Sequence, residues 1–154
     1  MTNEDLREID ASSISIAKFI HIISKNQILY LNHRLEDTNI NVSQLHFLFE
    51  IANNKNINQE KIASRCNFDK GAVARSIKKL EEKGLVKRQI DTENRRQNIV
   101  SLTSEGEKAL SESVELLEAW ENEVYDIDII DREVFKNILK EMAINSIEIN
   151  QKGE

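Results

Sequence analysis

The sequence contains no proline, only four glycines in 154 residues, and a single cysteine, Cys66. A lone cysteine excludes an intramolecular disulfide framework and any cysteine-rich zinc site. Because the turns of all-β proteins rely on glycine and proline, the scarcity of both disfavours such a fold and favours long helices. There is also no run of about 18 apolar residues, the length that a transmembrane helix needs. The acidic start at residues 1–5 lacks the apolar core of a signal peptide, so we expect a cytoplasmic protein.

The charge of the chain is unevenly distributed around its formal net value of −6. Residues 55–103 carry twelve Lys and Arg against six Asp and Glu, whereas the rest carries nine basic and twenty-one acidic residues. A basic middle between acidic ends indicates a local surface that binds a polyanion. Ordinary fluctuation of charge along a chain explains the same numbers equally well, so charge alone does not decide the function.

The first half of the chain has the pattern of helices. A wide apolar stripe predicts one long helix over residues 5–36, with one side packed against a partner subunit. Asn41 and Gln44 fit a capping box that opens a second helix, through about residue 51. Asn58 is positioned to cap a third, short helix.

A fourth helix, a hairpin and two further helices are predicted next. Asp69 caps the fourth helix, over residues 70–83, and Gly84 follows at the position where helices often end in a left-handed residue. The later elements are two strands over 85–90 and 97–102 joined by a polar tip at 91–96, a fifth helix over 104–125 capped by Thr103, and a sixth from Asp131 to about residue 150. This order predicts a mostly α fold with a small β-hairpin wing, the outline of a winged helix-turn-helix.

The fourth helix has two different faces when it is projected at about 100° per residue. Val73, Ile77 and Leu80 lie on the side predicted to be buried. The opposite, exposed side is small and basic, and it carries Gly71, Arg75, Lys78 and Lys79. Arginine can contact guanine through two hydrogen bonds, and lysines suit phosphates. The alternative is an ordinary basic surface in contact with solvent. The helix alone does not favour DNA binding over this alternative.

The hairpin favours nucleic acid over that alternative. Lys87 and Arg88 lie before its tip, and Arg95 and Arg96 lie within the tip. Adjacent arginines on a hairpin can enter a narrow minor groove, where the negative potential is strongest. Because this hairpin directly follows a basic helix with an apolar inner face, double-stranded DNA becomes the better prediction for the partner.

The stretch from residue 40 to residue 106 resembles the DNA-binding core of the MarR family of regulators. The similar segments are INVSQLHFL at 40–48, KIASRCNFDKGAVARSIKKLEEKGLVKR at 61–88, DTENRR at 91–96 and VSLTSEG at 100–106. The resemblance is specific as an ensemble rather than through any one segment. The long helices on both sides agree with the family's dimerisation layer in pattern only.

The resemblance implies a homodimeric transcription factor that binds a pseudo-palindromic operator and represses transcription. It also implies that a small-molecule effector releases the repressor from that operator. It assigns residues 1–36 and 104–154 to a helical dimerisation layer and 37–103 to the DNA-binding domain. The predicted DNA-binding residues are Asn58, Gln59, Lys70, Gly71, Arg75, Lys78, Lys79, Arg88, Arg95 and Arg96. Where the family's wing usually carries an Asp before the two arginines, this chain has Asn94, so the rigidity of the wing is in doubt.

Two other functions stay open at the level of sequence. One is a winged-helix module that binds protein, which would have no need of the basic segment. The other is a thiol-based redox regulator acting through Cys66, although this position carries an apolar residue in the family and a small buried thiol is favoured. The three histidines do not have the spacing of a metal site, and the sequence shows no catalytic constellation. We therefore expect that the protein binds no metal and no cofactor and is not an enzyme.

Overall fold

The structure is a computed structural model that describes residues 2–36, 40–90, 98–126 and 128–152. The chain is mainly helical with a small β-hairpin, as the sequence predicts, and the hairpin belongs to a three-stranded antiparallel sheet. Its elements are α1 (Asn3–Glu8), a 3-10 turn (Ala11–Ser13), α2 (Ile16–Leu35), α3 (Val42–Asn53), β1 (Ile57–Asn58), α4 (Gln59–Cys66), α5 (Lys70–Glu82), β2 (Val86–Ile90), β3 (Asn98–Leu102), α6 (Ser104–Val124) and α7 (Arg132–Lys152).

The predicted single helix over residues 5–36 is wrong, because the chain leaves the helix between residues 9 and 15. The Asp10 carboxylate accepts a hydrogen bond from the Ser12 backbone, and the Ser15 hydroxyl accepts one from the Lys18 backbone. Short polar side chains compete in this way with helical hydrogen bonds and favour caps and turns. The apolar spacing alone could not reveal the break, since Ile9 and Ile16 keep the helical period across it.

The other predicted helix starts are confirmed by their capping hydrogen bonds. Asn41 and Gln44 form the reciprocal capping box of α3, and the Asp69 carboxylate accepts from the Ala72 backbone at 2.9 Å. Gly84 ends α5 with φ of 72°, and it donates to the Glu81 carbonyl while Leu85 donates to the Leu80 carbonyl. This pair of bonds is a Schellman motif, which favours glycine at its left-handed position.

The sheet contains one strand that the sequence analysis did not predict. The two-residue strand β1 pairs with β3, so that Ile57 lies opposite Val100 and Asn58 opposite Ile99, and the order is β1-β3-β2. Strands β2 and β3 form the predicted hairpin, with Val86 opposite Leu102. Because β1 leads directly into α4, this pairing fixes the start of α4 beside the wing.

The hydrophobic core gathers the inner faces of α3, α4 and α5 over the sheet. Its most deeply buried side chains include Phe47, Leu48, Ile62, Ile77 and Leu80, each with at most 1% of its surface exposed. Such side chains each contribute about 1.5–3 kcal/mol when they are removed from water. This core holds α5 by its apolar face and leaves its other face at the surface.

The chain divides into two compact units, Met1–Glu118 and Ala119–Glu154. In the second unit the end of α6 and α7 are joined by polar and aromatic contacts. Arg132 donates to the Glu121 carboxylate at 3.0 Å, and the rings of Tyr125 and Phe135 lie 5.6 Å apart. No residue of α7 is buried, although Ile138 and Leu139 are among its side chains.

Candidate nucleic-acid interface

The second helix of the turn unit, α5, has the two faces that the sequence predicts. Val73, Ile77 and Leu80 are fully buried, whereas Arg75, Lys78 and Lys79 are exposed. The left-handed residue Asn67, with φ of 54°, ends α4 and redirects the chain into α5. The arrangement therefore presents one basic helix face to the surrounding solvent.

Gly71 lies at the start of that exposed face and is half-buried. A Cβ atom at this position would lie 3.1 Å from the Asp69 carboxylate and 3.4 Å from the Arg75 guanidinium. Both neighbours are ends of side chains, so the glycine is not required by packing. Its small size leaves the first turn of α5 thin, which is consistent with close approach to a groove.

Three of the basic residues predicted to bind DNA form ion pairs within the protein. The Lys70 ammonium lies 2.9 Å from the Glu60 carboxylate, and the Lys78 ammonium lies 3.8 Å from that of Glu82. The Arg88 guanidinium of β2 contacts Glu81 of α5. Surface ion pairs of this kind are worth about 0–1 kcal/mol, so a polyanion can compete for these cations.

Arg75, Lys79 and Lys87 have no ion-pair partner among the residues that the structure describes, and all three are exposed. These three side chains of α5 and β2 are therefore available to bind an anion. Arg95, Arg96 and the neighbouring Asn94 lie outside the described residues, so their predicted roles at the wing tip stay predictions.

Asn58 and Gln59, the predicted contacts at the start of α4, already have structural surroundings. The Asn58 side-chain oxygen accepts a hydrogen bond from the Lys61 backbone at 2.8 Å and so caps α4. The Gln59 amide nitrogen is buried and, within the described part of the chain, has no hydrogen-bond partner. Both side chains are half-buried, whereas that of Arg75 is exposed.

A basic cleft that the sequence analysis did not single out lies beside these residues. It occupies about 360 Å³ between the end of α3 and the outer side of α4. The residues lining it are Asn54, Lys55, Asn56, Ile57, Lys61, Ser64 and Arg65. The signal available in the sequence was the helical spacing of Lys61 and Arg65, which places the two cations next to each other on one side of α4.

Cys66, the last residue of α4, packs against the core and is half-buried. Burial raises the pKa of its thiol, and the nearby Glu50 carboxylate acts in the same direction. A raised pKa keeps the thiol protonated and poorly reactive. Among the described residues, no group of His, Cys, Asp and Glu side chains is placed to hold a metal ion.

No helix in the described ranges is both long and apolar enough to cross a lipid bilayer.

Comparison with known proteins places the chain among regulators. The sequence profile of the MarR family matches residues 40–97, which span α3, α4, α5 and β2. The uncharacterised HTH-type transcriptional regulator YwoH of Bacillus subtilis strain 168 is 33% identical over 110 residues, covering 71% of this chain and 80% of YwoH.

Solved structures agree with the sequence comparison. A MarR transcriptional regulator from Methanosarcina mazei Go1 is 31% identical with a TM-score of 0.78, covering 87% of this chain and 97% of that protein. A crystal structure of MarR has a TM-score of 0.83 at 26% identity, covering 94% and 99%. The matched proteins are transcriptional regulators and not enzymes. The chain therefore belongs to the MarR family of DNA-binding, winged helix-turn-helix transcriptional regulators.

Proposed function

We propose that this regulator binds a pseudo-palindromic operator as a homodimer, represses transcription in the cytoplasm, and is released by a small-molecule effector. The observation that carries the proposal is α5, which is held by a buried apolar face and exposes Arg75 and Lys79. In helix-turn-helix proteins the second helix lies in the major groove, with its first residues on base edges. The proposed DNA contacts are those predicted from the sequence, with Arg75 reading bases.

The dimer is supported by apolar side chains that the described chain leaves in solvent. On α2 these include Ile16, Ile20 and Ile23, which are 64%, 48% and 47% exposed, and on α7 they include Ile138 and Leu139. Apolar patches of this kind on a regulator favour a protein partner. We assign residues 1–36 and 104–154 to the dimerisation layer and 37–103 to the DNA-binding domain. A two-fold axis then presents two α5 helices to two half-sites about 34–36 Å apart.

Effector release is supported by a cavity of about 570 Å³ within the first unit. It lies where the end of α3 meets β3 and the first turns of α6, and Ile51, Val100, Leu110 and Val114 give it apolar walls. Its volume is in the range of small-molecule sites. A solved relative of the same fold, CouR from Rhodococcus jostii RHA1, is bound to p-coumaroyl-CoA. An effector acts only if its affinity differs between the DNA-binding and released conformations.

The experiment that tests the function is DNA binding measured by fluorescence anisotropy. The probe is the DNA upstream of the chain's own gene, and a duplex of scrambled sequence is the competitor. Another structure of this fold, MepR of Staphylococcus aureus, was solved as a DNA complex, so a stable complex is a reasonable readout. We expect two protomers per site and a preference of at least about 1,000-fold over scrambled DNA. Equal affinity for both duplexes would contradict the proposed operator binding.

A further inference from the structure

Two of the four cations of α5, both assigned to DNA by the proposed function, are held by carboxylates of the protein itself. Lys70, the first residue of α5, lies 2.9 Å from the carboxylate of Glu60 in the first turn of α4. Lys78 lies 3.8 Å from the carboxylate of Glu82, the last residue of α5. The other two cations of the helix have no ion-pair partner in the described part of the chain. Half of the positive charge of α5 is therefore engaged before any DNA arrives.

The stability of α5 does not explain where these charges lie. Helix N-termini carry a partial positive charge and C-termini a partial negative charge, so a lysine is unfavourable at the start of a helix and a glutamate at its end. Lys70 and Glu82 occupy these two positions in α5. A lysine that precedes a glutamate by four residues, as Lys78 precedes Glu82, also forms the weaker of the two possible orientations. These charges therefore add little to the helix, and their role is better sought in what the basic face binds.

Both pairs lie at the surface, where a phosphate can reach them. All four side chains, those of Lys70, Glu60, Lys78 and Glu82, are at least 61% exposed. Exposed pairs are weak, so a phosphate of DNA can displace the carboxylate from either lysine. The displaced carboxylate then remains near that phosphate, and like charges repel. Each glutamate thus opposes DNA binding first as a competitor and then as a neighbour of like charge.

The elements that these pairs join are held in place without them. The buried side chains of Ile62 on α4 and of Val73 and Ile77 on α5 belong to one continuous core. Both members of the Lys78–Glu82 pair lie within α5, so this pair joins no separate elements. Removal of the charge of either glutamate is therefore expected to leave the fold and the position of α5 unchanged.

We propose that Glu60 and Glu82 are autoinhibitory residues, which hold Lys70 and Lys78 in the free protein and which DNA must displace in order to bind. The inference rests on the proposed operator binding and extends it to residues that are not themselves DNA ligands. Repulsive elements of this kind are a recognised means of limiting binding to unwanted partners. A lower affinity for DNA also reduces the differential affinity that an effector needs in order to release the regulator.

The test compares the affinities of the full-length wild type, Glu60→Gln, Glu82→Gln and the double variant for operator and scrambled duplexes. Glutamine keeps the size of the side chain and removes its charge. We expect each single substitution to raise the affinity for both duplexes by about 2- to 30-fold at low salt, because each exposed pair is weak but is lost twice in a symmetric dimer. The gain should shrink as the salt concentration rises, since salt screens exposed charges.

A double-mutant cycle separates the pairing from a general effect of charge. If Glu82 acts by holding Lys78, then Glu82→Gln should change the affinity much less in a Lys78→Gln background than in the wild type. The matched control is Glu112→Gln, because Glu112 follows Lys108 on α6 by four residues with the same 3.8 Å separation. Its affinities should equal those of the wild type, and light scattering should give the same number of protomers for every variant.

Lower affinity in Glu60→Gln and Glu82→Gln would overturn the proposal, because the glutamates would then hold the lysines ready for DNA. Unchanged affinity would also overturn it. An equal gain in the Lys78→Gln background would do the same, since it would indicate repulsion of DNA without pairing. In all three cases operator binding by the wild type leaves the proposed function standing. If neither the wild type nor the double glutamine variant binds either duplex, the proposed function itself fails.

Discussion

The Glu81 carboxylate of α5 accepts two hydrogen bonds from the guanidinium of Arg88 on β2, one of them from Nε at 2.9 Å and the other from Nη2. This pair of side chains, each about one third exposed, joins the recognition helix to the wing strand. The hydrogen bonds from Arg88 lower the pKa of Glu81 below its ordinary value of 4.5, and they raise that of Arg88.

The Glu81–Arg88 pair should make a small part of the stability depend on pH. Because the pKa of Glu81 is lower in the folded state, its contribution is present above the unfolded pKa of 4.5 and is lost as the pH falls through the folded value. We expect less than about 1 kcal/mol, since the pair is exposed to water. Urea unfolding from about pH 6 to pH 3 should show a weaker pH dependence for Glu81→Gln than for the wild type.

The control for this measurement is Glu112→Gln, because Glu112 meets Lys108 only at 3.8 Å on the surface of α6. Its unfolding curves should follow the wild type over the whole range of pH. Parallel pH dependence in the wild type and in Glu81→Gln would show that ionisation of Glu81 beside Arg88 contributes nothing to stability.

Arg75→Ala should remove sequence preference while leaving the fold and the dimer intact. The side chain is exposed on α5 and, among the described residues, has no ion-pair partner, so its loss leaves no buried charge behind. A bidentate contact to guanine is worth about 1–3 kcal/mol of discrimination. Anisotropy with operator and scrambled DNA should show the loss on the operator alone. Unaltered operator binding would mean that the reading face is wrongly assigned.

The sequence predicted most of this fold because its signals are local. Helix ends could be predicted because each capping signal acts within a few residues, as do Asn41, Asp69 and Gly84. The break at Asp10 was missed because the polar residues around it compete with a helical apolar period. Strand β1 was missed because two residues carry no periodicity, and their pairing with β3 is a contact between distant parts of the chain.

The candidate site was only partly predictable for a related reason. Residue type and helical spacing place Arg75 and Lys79 on an exposed face, and the structure agrees. They do not reveal which cations are engaged, so the contacts of Lys70 and Arg88 with glutamates appear only in three dimensions. The basic cleft brings together the loop after α3 and one side of α4, which share no motif.

Gly106→Ala should destabilise the fold far more than Gly71→Ala does. A Cβ atom at residue 106 would lie 1.9 Å from the Leu85 carbonyl oxygen, and that backbone is fixed by the end of α5. We expect a loss of about 1–3 kcal/mol, as for an overpacked core. Gly71→Ala is the matched control, since its new Cβ meets only side chains at 3.1 and 3.4 Å. Denaturant midpoints should fall for Gly106→Ala only, and equal midpoints would contradict the close packing of α6 against Leu85.

Cys66 should be inert as a redox sensor. Burial and the Glu50 carboxylate raise the pKa of its thiol, so the thiolate fraction near neutral pH is smaller than in an unfolded chain. A thiol reagent should react more slowly with the native protein than with the urea-unfolded protein. Peroxide treatment should leave operator affinity unchanged in the wild type, as it must in Cys66→Ala. Rapid native labelling together with a peroxide-dependent loss of binding would favour the thiol-based regulator over an effector-released one.

Ile138→Glu should dissociate the dimer without unfolding the chain. Ile138 is 46% exposed on α7, a helix with no buried residue, so the substitution costs little in the isolated protomer. In a two-fold interface the change occurs twice, and each lost apolar side chain is worth about 1.5–3 kcal/mol. Light scattering at micromolar concentration should therefore report a monomer, and operator affinity should fall because one protomer reads one half-site. Asn137→Glu adds the same charge outside the apolar row and should remain dimeric. A dimeric Ile138→Glu protein with wild-type affinity would exclude this part of α7 from the interface.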